Sequence, residues 1–244
     1  MTRSLHKGGP LDATSLEERL HRLQSDRVAQ LHRTATEAGT LHETAFLRDR
    51  GAFEALRNIV LPRLIAANAA IRRLRVWCAA VSTGQEAYSV AMLLDELLPD
   101  LQDWDVKIVG TDLSTATIEY ARRGRYRRTE VNRGLPARLL VRHFLREGDE
   151  WEVKPELRRL CEFREADVCV PLAGAQRFDL VLLRNVLLQI PQADLGRVFA
   201  NVHRQMAGDG VLMLGTGEQA EDWSDLFYAE FSAANWYYRP NAGE

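Results

Sequence analysis

The sequence has no long apolar segment. Its longest run without a charged residue is the ten residues Val76–Gln85, about half of the ~20 apolar residues with which a helix crosses a bilayer. The first thirty residues carry charged side chains throughout and lack the apolar stretch of a secretory signal. We therefore expect a cytoplasmic protein that does not insert into a membrane.

Cysteine is also scarce. Cys78, Cys161 and Cys169 are odd in number, widely spaced and set among apolar neighbours. This usage favours reduced, buried thiols over a disulfide framework or a zinc site, and we expect no metal ion. With 46% hydrophobic and 27% charged residues, the composition is that of an ordinary globular protein.

The charge is nearly balanced overall but is unevenly distributed. The 32 basic and 34 acidic residues give a net charge of −2, yet nine arginines and a single acid, Glu130, lie between Arg122 and Arg146. A solvated surface explains such a run. The other explanation is an electrostatic docking surface for an acidic partner, either nucleic acid or an acidic protein helix.

The sequence pattern changes near residue 74. Before it, apolar residues recur at helical spacing over Leu16–Ala35 and again over about Ala52–Ile71, where Pro62 predicts a kink or a boundary. We assign residues 1–72 to an N-terminal helical segment with a linker helix, and residues 73–244 to a second domain.

In the second domain, short apolar strands alternate with amphipathic helices, which predicts a parallel sheet with helices on both faces. Strands are expected at 74–81, 105–111, 178–183 and 210–215, helices at about 86–98, 115–123 and 194–206, and one or two further strands within 227–238. The rhythm breaks at about 125–162. There, Phe144-Leu145 and Trp151–Val153 predict a hairpin, and hence a small inserted β-subdomain.

The residues that follow each strand carry the chemistry, because ligands of open α/β sheets bind at the carboxyl ends of the strands. Ser82–Glu86 is a small-residue turn that lets the backbone approach a ligand. Asp112 follows the second strand, where an acid can accept hydrogen bonds from both hydroxyls of a ribose. Arg184-Asn185 follow the third. The arrangement predicts a nucleoside-containing cofactor.

The sequence lacks both G-x-G-x-x-G and G-x-x-x-x-G-K, the two loops that bind pyrophosphate and nucleoside triphosphates. A cofactor with a ribose but no phosphates, such as S-adenosylmethionine, fits better. This favours a methyltransferase, with a dinucleotide-dependent enzyme or an unrelated α/β domain as alternatives.

Three segments carry specific motifs: Glu43–Arg48 (ETAFLR), Trp77–Ser89 (WCAAVSTGQEAYS) and Phe178–Val186 (FDLVLLRNV). They resemble, in order and spacing, the N-x-T-x-F-F-R, W-[SC]-A-A-x-S-T-G-E-E-P-Y-S and F-D-x-I-x-C-R-N-V segments of the CheR family of chemotaxis receptor glutamate methyltransferases. The resemblance covers roughly residues 40 to 240.

The resemblance implies an α/β fold: the Rossmann-like sheet of a class I methyltransferase, with a short N-terminal helical segment and a small inserted antiparallel β-subdomain. It also implies methyl transfer from S-adenosylmethionine, leaving S-adenosylhomocysteine, to glutamates on the cytoplasmic helices of a chemoreceptor. Cofactor contacts then fall on His42, Thr44, Arg48, Glu86, Asp112, Asp167, Val168, Leu183 and Arg184. Catalytic roles fall on Arg48 and Gln189.

These assignments compete with simpler ones. Arg48 can bind a carboxylate of the cofactor or of the substrate, or can pair at the surface with Asp49 or Glu43. Glu86 can cap its helix, His42 can be an exposed loop residue, and Asp167 can form a turn. An acceptor glutamate, with a pKa near ~4.3, is already ionised at neutral pH and needs no general base.

Two departures from the family pattern separate the functional hypotheses. Gln189 stands where the family has a tyrosine, and Gly215–Glu218 reads GTGE where the family has G-H-S-E. A glutamine can hydrogen-bond to a carboxylate, but it lacks the tyrosine ring that shields the site from water. The chain is therefore either an active enzyme of a divergent branch or a cofactor-binding regulatory homologue with weak or lost catalysis. A nucleic-acid methyltransferase, suggested by the arginines, lacks a recognisable base-flipping motif.

The expected partner is the helical cytoplasmic region of a chemoreceptor, and we expect neither nucleic acid binding nor an oligomer; the chain is predicted to be a monomer. Docking is assigned to Arg122, Arg123, Arg125, Arg127 and Arg128, which follow a predicted helix. The hairpin link is short and acidic, with Glu147, Asp149 and Glu150. We therefore expect no binding of a tethering pentapeptide from a receptor C-terminus.

Overall fold

The computed structural model describes residues 44–174, 177–232 and 235–241. The helix predicted over Leu16–Ala35 and the site residue His42 lie outside these residues. The described strands are β1 (Arg73–Ala79), β2 (Asp105–Asp112), β3 (Arg125–Arg127), β4 (Phe144–Glu147), β5 (Glu150–Val153), β6 (Cys161–Glu165), β7 (Phe178–Leu183), β8 (Met206–Leu214), β9 (Phe227–Ser232) and β10 (Asn235–Pro240).

The described helices lie between these strands. They are α1 (Arg50–Ala55), α2 (Leu61–Asn68), α3 (Gln85–Leu97), α4 (Thr115–Arg123), α5 (Arg128–Val131), α6 (Ala137–His143), α7 (Pro155–Arg158) and α8 (Gln192–Gln205). A π-helical turn (Leu56–Val60) joins α1 to α2, and 3₁₀ turns occupy Leu101–Asp103, Leu187–Gln189 and Glu221–Trp223.

Within the described residues, seven strands form one sheet in the order β6-β2-β1-β7-β8-β10-β9. The pairs from β6 through β8 are parallel, whereas β10 is antiparallel to both β8 and β9. The predicted α/β class and the parallel sheet are confirmed, and the tail forms two strands.

A second sheet of three short strands has the order β3-β5-β4. In it, β4 and β5 form the predicted hairpin, with Phe144 opposite Val153 and Glu147 opposite Glu150. The link is the two-residue turn Gly148-Asp149, in which Gly148 has φ 62°. The small antiparallel sheet expected from the sequence is therefore present.

Two apolar layers cover the large sheet. One contains Leu74 and Val76 of β1 with Val90 and Leu94 of α3, all fully buried, and it extends to the small sheet. The other packs α8 against Trp77, Val181 and Leu212. Alternate residues of β1 therefore enter opposite layers, as expected of a central strand that is buried on both faces.

The structure revises two predicted elements. The single helix expected over Ala52–Ile71 is instead α1, the π turn and α2, because Pro62 has no N–H to donate to the carbonyl of Asn58 and the preceding turn widens. Strand β6 was not predicted. Its sequence, CEFRE, alternates charged and apolar residues because it is the edge of the sheet and lies half in solvent.

Candidate functional site

The carboxyl ends of the central strands meet at one edge of the large sheet. Ala79, the last residue of β1, lies opposite Thr111 of β2 on one side and Leu183 of β7 on the other. The strand order reverses between β1 and β7, so the loops after them diverge and leave a crevice, which is where ligands bind in open α/β sheets. Of the predicted site residues, Arg184 and Gln189 follow β7, and Glu86 lies in the first turn of the helix that follows the β1 loop.

The loop after β1 is held in an unusual backbone conformation. Ala80, Ser82 and Gly84 have φ of 59°, 52° and 94°, a region that costs non-glycine residues free energy and is concentrated at functional sites. A Cβ on Gly84 would lie 2.8 Å from the Cβ of Ala121. The Tyr126 hydroxyl fixes the same loop by donating to the Thr83 carbonyl at 2.7 Å.

Asp112 ends β2 and organises two loops. Its Oδ2 accepts a hydrogen bond from the Ser82 amide at 2.9 Å, and its Oδ1 accepts one from the Ser114 amide at 3.0 Å. The Thr117 hydroxyl has one proton and lies nearer to the Ser114 carbonyl, at 2.8 Å, than to Asp112. Each carboxylate oxygen therefore keeps a free lone pair, enough for two ribose hydroxyls.

Arg184, directly after β7, is committed to protein partners. Its guanidinium donates to Glu86 at 2.8 Å, to Asp49 at 2.9 Å and to the Arg48 carbonyl at 3.0 Å. The side chain is only 2% exposed and also lies over the ring of Phe53. The network joins β7, α3 and the segment before α1, so this predicted cofactor residue is first a structural bridge.

The Glu86 carboxyl of this network is largely shielded from solvent, with its side chain 15% exposed. Burial raises the pKa of the Glu86 carboxyl, and the neighbouring Arg184 guanidinium opposes part of that rise. Among the described residues, the Nε atom of Arg184 is buried without a hydrogen-bond partner. An orphaned buried donor of this kind is expected where a ligand group completes the hydrogen bonding.

The segment that carries Thr44 and Arg48 packs against the small sheet and α3. Phe46 is fully buried and meets the ring of Tyr126 edge to face at 5.0 Å. The Leu47 amide donates to the Ser89 hydroxyl at 3.0 Å. Leu47 and Asp49 both have positive φ, so the backbone turns sharply on either side of Arg48. Thr44 and Arg48 are themselves half-buried.

The remaining predicted cofactor residues follow β6 and end β7. Asp167 accepts a hydrogen bond from the Cys169 amide at 2.8 Å, the turn-forming contact considered as its alternative role. The carbonyl of Val168 is held by the Asn201 amide group at 2.7 Å. Leu183 is fully buried at the end of β7. These positions line the same edge of the sheet.

Gln189 lies on the exposed 3₁₀ turn after β7, and its side-chain amide donates to the Asn185 carbonyl at 3.3 Å. The sequence predictions missed the two residues that fix these loops, Asp49 and Glu218. The Glu218 carboxylate accepts four main-chain hydrogen bonds. The only signals in the sequence were the Arg48-Asp49 pair and the GTGE segment.

The five arginines assigned to docking have different surroundings. The Arg122 guanidinium donates to the Phe163 carbonyl at 2.7 Å and that of Arg125 to Glu152 at 2.9 Å. The side chains of Arg123, Arg127 and Arg128 are exposed and make no ion pair with any other residue that the structure describes. Three cations of the cluster are therefore available to a partner.

The structure also bears on other classes of site. Over the residues that it describes, no helix is long and apolar enough to span a membrane. In the same residues, no three His, Cys, Asp or Glu side chains are grouped so as to hold a metal ion.

Comparison with known proteins gives one family. Residues 42–235 match the family described as CheR methyltransferase, SAM binding domain. The chain is 37% identical over 218 residues to chemotaxis protein methyltransferase 1 of Pseudomonas aeruginosa, covering 87% of this chain and 78% of that one. It is 35% identical, with the same coverage, to chemotaxis protein methyltransferase Cher2 of Pseudomonas putida.

Solved structures of lower identity are also similar. A TehB-like SAM-dependent methyltransferase from Corynebacterium glutamicum aligns with a TM-score of 0.42 and 17% identity, over 90% of this chain and 97% of that one. The glycopeptide N-methyltransferase MtfA complexed with S-adenosylmethionine aligns with a TM-score of 0.38 and 18% identity, over 61% and 47%.

Proposed function

This chain belongs to the CheR methyltransferase family, and we propose that it methylates glutamate side chains on the helical region of a chemoreceptor. It is an S-adenosylmethionine-dependent methyltransferase of chemotaxis. The observation that carries the proposal is the arrangement of Asp112, Glu86 and Arg184 at the reversal point of the sheet, beside the segment of Arg48.

The described residues fit the cofactor. Asp112 has one free lone pair on each oxygen, matching the two hydroxyls of a ribose. The buried Nε of Arg184 offers an unused donor. When bound, the sulfonium group of S-adenosylmethionine supplies an electrophilic methyl group.

The acceptor needs alignment rather than activation. A glutamate carboxylate is ionised at neutral pH, so the chain's contribution is to strip water from it and to hold it in line with the methyl group. Arg48 can bind a carboxylate with two parallel hydrogen bonds. We assign that role to Arg48, directed either to the acceptor or to the methionine part of the cofactor.

A second candidate function rests on Gln189. This residue replaces the family's tyrosine on an exposed turn, where a glutamine shields an acceptor carboxylate from water less well than a ring. The alternative is therefore a regulatory homologue that binds S-adenosylmethionine and has weak or lost catalysis.

Docking is assigned to the arginine cluster. Because Arg122 and Arg125 are bonded within the chain, we place the main contacts on Arg123, Arg127 and Arg128, with the acidic face of a receptor helix as partner. The β4–β5 turn offers acids instead of a longer loop, so docking is proposed to proceed without a tethering peptide.

The test combines binding with turnover. Calorimetric titration with S-adenosylhomocysteine measures the cofactor site, and transfer of radiolabelled methyl to a receptor cytoplasmic fragment measures activity. We expect binding and receptor labelling by the wild type, and labelling that is removed by mutating the receptor's acceptor glutamates to alanine. Binding without labelling supports the regulatory alternative, and loss of both contradicts the proposal.

Arg48→Ala then tests the catalytic assignment. We expect the variant to keep the wild-type melting temperature and to lose most of the methyl transfer. Arg50→Ala is the matched control, because Arg50 lies two residues away with its side chain 91% exposed and paired only locally with Glu54. Equal activity of the two variants removes Arg48 from the catalytic site.

A further inference from the structure

Glu218 holds the turn that follows β7. Its Oε2 accepts hydrogen bonds from the amides of Asn185 at 2.7 Å and Gly215 at 2.8 Å. Its Oε1 accepts from the amides of Val186 and Leu187, both at 2.8 Å. One carboxylate thereby fixes three consecutive amides of one loop and one amide of the next.

The local backbone is built around this carboxylate. Asn185 has φ 57°, a left-handed conformation that directs its own amide and the next two amides toward one point. A Cβ on Gly215 would lie 2.6 Å both from the Asn185 nitrogen and from Glu218 Oε2. The loops after β7 and β8 therefore approach each other only because position 215 is glycine.

The turn held by Glu218 carries residues assigned to the reaction. Arg184, which bridges Glu86 and Asp49, immediately precedes it, and Gln189 bonds back to its Asn185 carbonyl. Within the part of the chain that the structure describes, Glu218 hydrogen-bonds to neither of these two side chains. Its influence on them passes through the main chain.

We propose that Glu218 is a positioning residue for methyl transfer, one that sets the turn 185–187 so that Arg184 completes the cofactor site and Gln189 lies at the acceptor side. The inference rests on the proposed function for its acceptor part only. A negative charge is required, because four N–H donors converge on two oxygens and a neutral amide presents one acceptor and one donor group.

The test compares Glu218→Gln with Glu221→Gln, the same substitution three residues on at an exposed side chain. In Glu218→Gln we expect amide hydrogen exchange at 185–187 at least tenfold faster, and affinity for S-adenosylhomocysteine at least fivefold lower. Glu221→Gln should match the wild type in both. Glu218→Asp keeps the charge and should fall between them, which keeps the test informative if Glu218→Gln does not fold.

Turnover separates positioning from a purely structural role. Glu218→Gln should lower kcat more than tenfold per folded molecule. In the double variant with Gln189→Ala, it should lower kcat less than threefold further, because both residues act through one turn. Losses that multiply independently overturn the proposal, as does unchanged exchange or unchanged affinity. If the wild type does not label receptor, the receptor assignment fails, whereas the exchange and affinity measurements still decide the role of Glu218.

Discussion

Asp112, the last residue of β2, combines structural contacts with the ribose contact that we propose for it. Its two oxygens already accept the amides of Ser82 and Ser114, so it shapes the loop after β1 and the start of α4 before any ligand arrives. The predicted ribose contact and the turn-forming contacts are thus compatible.

Asp112→Ala should weaken S-adenosylhomocysteine binding by about 1–3 kcal/mol, the cost of leaving buried hydroxyls unpaired, which is roughly a five- to 150-fold rise in Kd. Calorimetry well below the unfolding temperature measures it. Asp222→Ala, at an exposed acid on the Glu221–Trp223 turn, is the control. Equal affinities of the two variants would exclude Asp112 from the site.

Gln189→Tyr should raise the methyl-transfer rate severalfold, because a ring at this position excludes water from the acceptor carboxylate. Leu188→Tyr is the matched control, since Leu188 is adjacent and its side chain is 99% exposed. Single-turnover labelling of receptor measures both variants. If Gln189→Tyr does not raise the rate, or if Leu188→Tyr raises it equally, the loss of the ring at position 189 is not what limits methyl transfer.

Among the secondary-structure elements, most strands of the large sheet could be predicted from the sequence, but its edge strand β6 could not. Strands β1, β2, β7 and β8 stand out as apolar runs, because they are buried on both faces. Strand β6 carries Glu162 and Arg164, which interrupt its apolar residues. A prediction based on apolar runs therefore assigns this segment to a loop. The π turn before Pro62 depends on one missing N–H. From the sequence, Pro62 predicts a kink or a boundary in the helix but not a π turn.

Strand β6 is tied to β2 by an ion pair that makes stability depend on pH. Hydrogen bonds from Arg164 and Lys107 lower the pKa of Glu162 to about 2, and the Lys107 ammonium lies 2.5 Å from its carboxylate. The depressed pKa stabilises the fold at pH values above the unfolded-state pKa of ~4.3, and that contribution is lost as the pH falls toward 2.

Glu162→Gln should therefore cost about 0.5–1 kcal/mol of unfolding free energy at pH 7, since the pair is half-exposed, and roughly half of that or less at pH 3. Denaturant unfolding at the two pH values measures the change. Glu119→Gln, an exposed acid of α4 without an ion pair to any described residue, should show no such trend. A pH-independent cost at Glu162 would contradict the ion-pair explanation.

At the scale of the whole molecule, the candidate site could be predicted only in part. The strand-end positions, Asp112 above all, follow from the α/β rhythm together with three motifs. The partners of Arg184 do not, because Asp49 and Glu86 lie 135 and 98 residues away along the chain. Neither spacing nor composition shows which acid a buried arginine will meet.

Salt should weaken receptor docking if it proceeds through the arginine cluster, as we propose. Exposed charge contacts are screened as the Debye length falls from ~10 Å at 0.1 M to ~3 Å at 1 M salt, so receptor labelling should fall steeply over that range. Arg123→Glu with Arg127→Glu should abolish labelling while cofactor affinity stays. Arg197→Glu with Arg204→Glu, on α8, changes the net charge equally and should leave both labelling and cofactor affinity unchanged. Salt-insensitive labelling would exclude electrostatic docking.

A free receptor C-terminal pentapeptide should neither inhibit labelling nor bind in calorimetry, because the β4–β5 turn is two residues long and acidic. Saturable binding of that peptide, or its competition with receptor, would overturn this expectation.

The bridge from Arg184 to Asp49 has a consequence for how the protein is made. In a chain leaving the ribosome, Asp49 and Glu86 emerge long before Arg184. The turn after Arg184 can be fixed only once Glu218 has emerged as well, because Glu218 accepts hydrogen bonds from its amides. During that interval two buried-site carboxylates have no cationic partner from β7. Nascent chains stalled before residue 218 should therefore fail to retain S-adenosylhomocysteine, and ligand capture would mark the late completion of the sheet during synthesis.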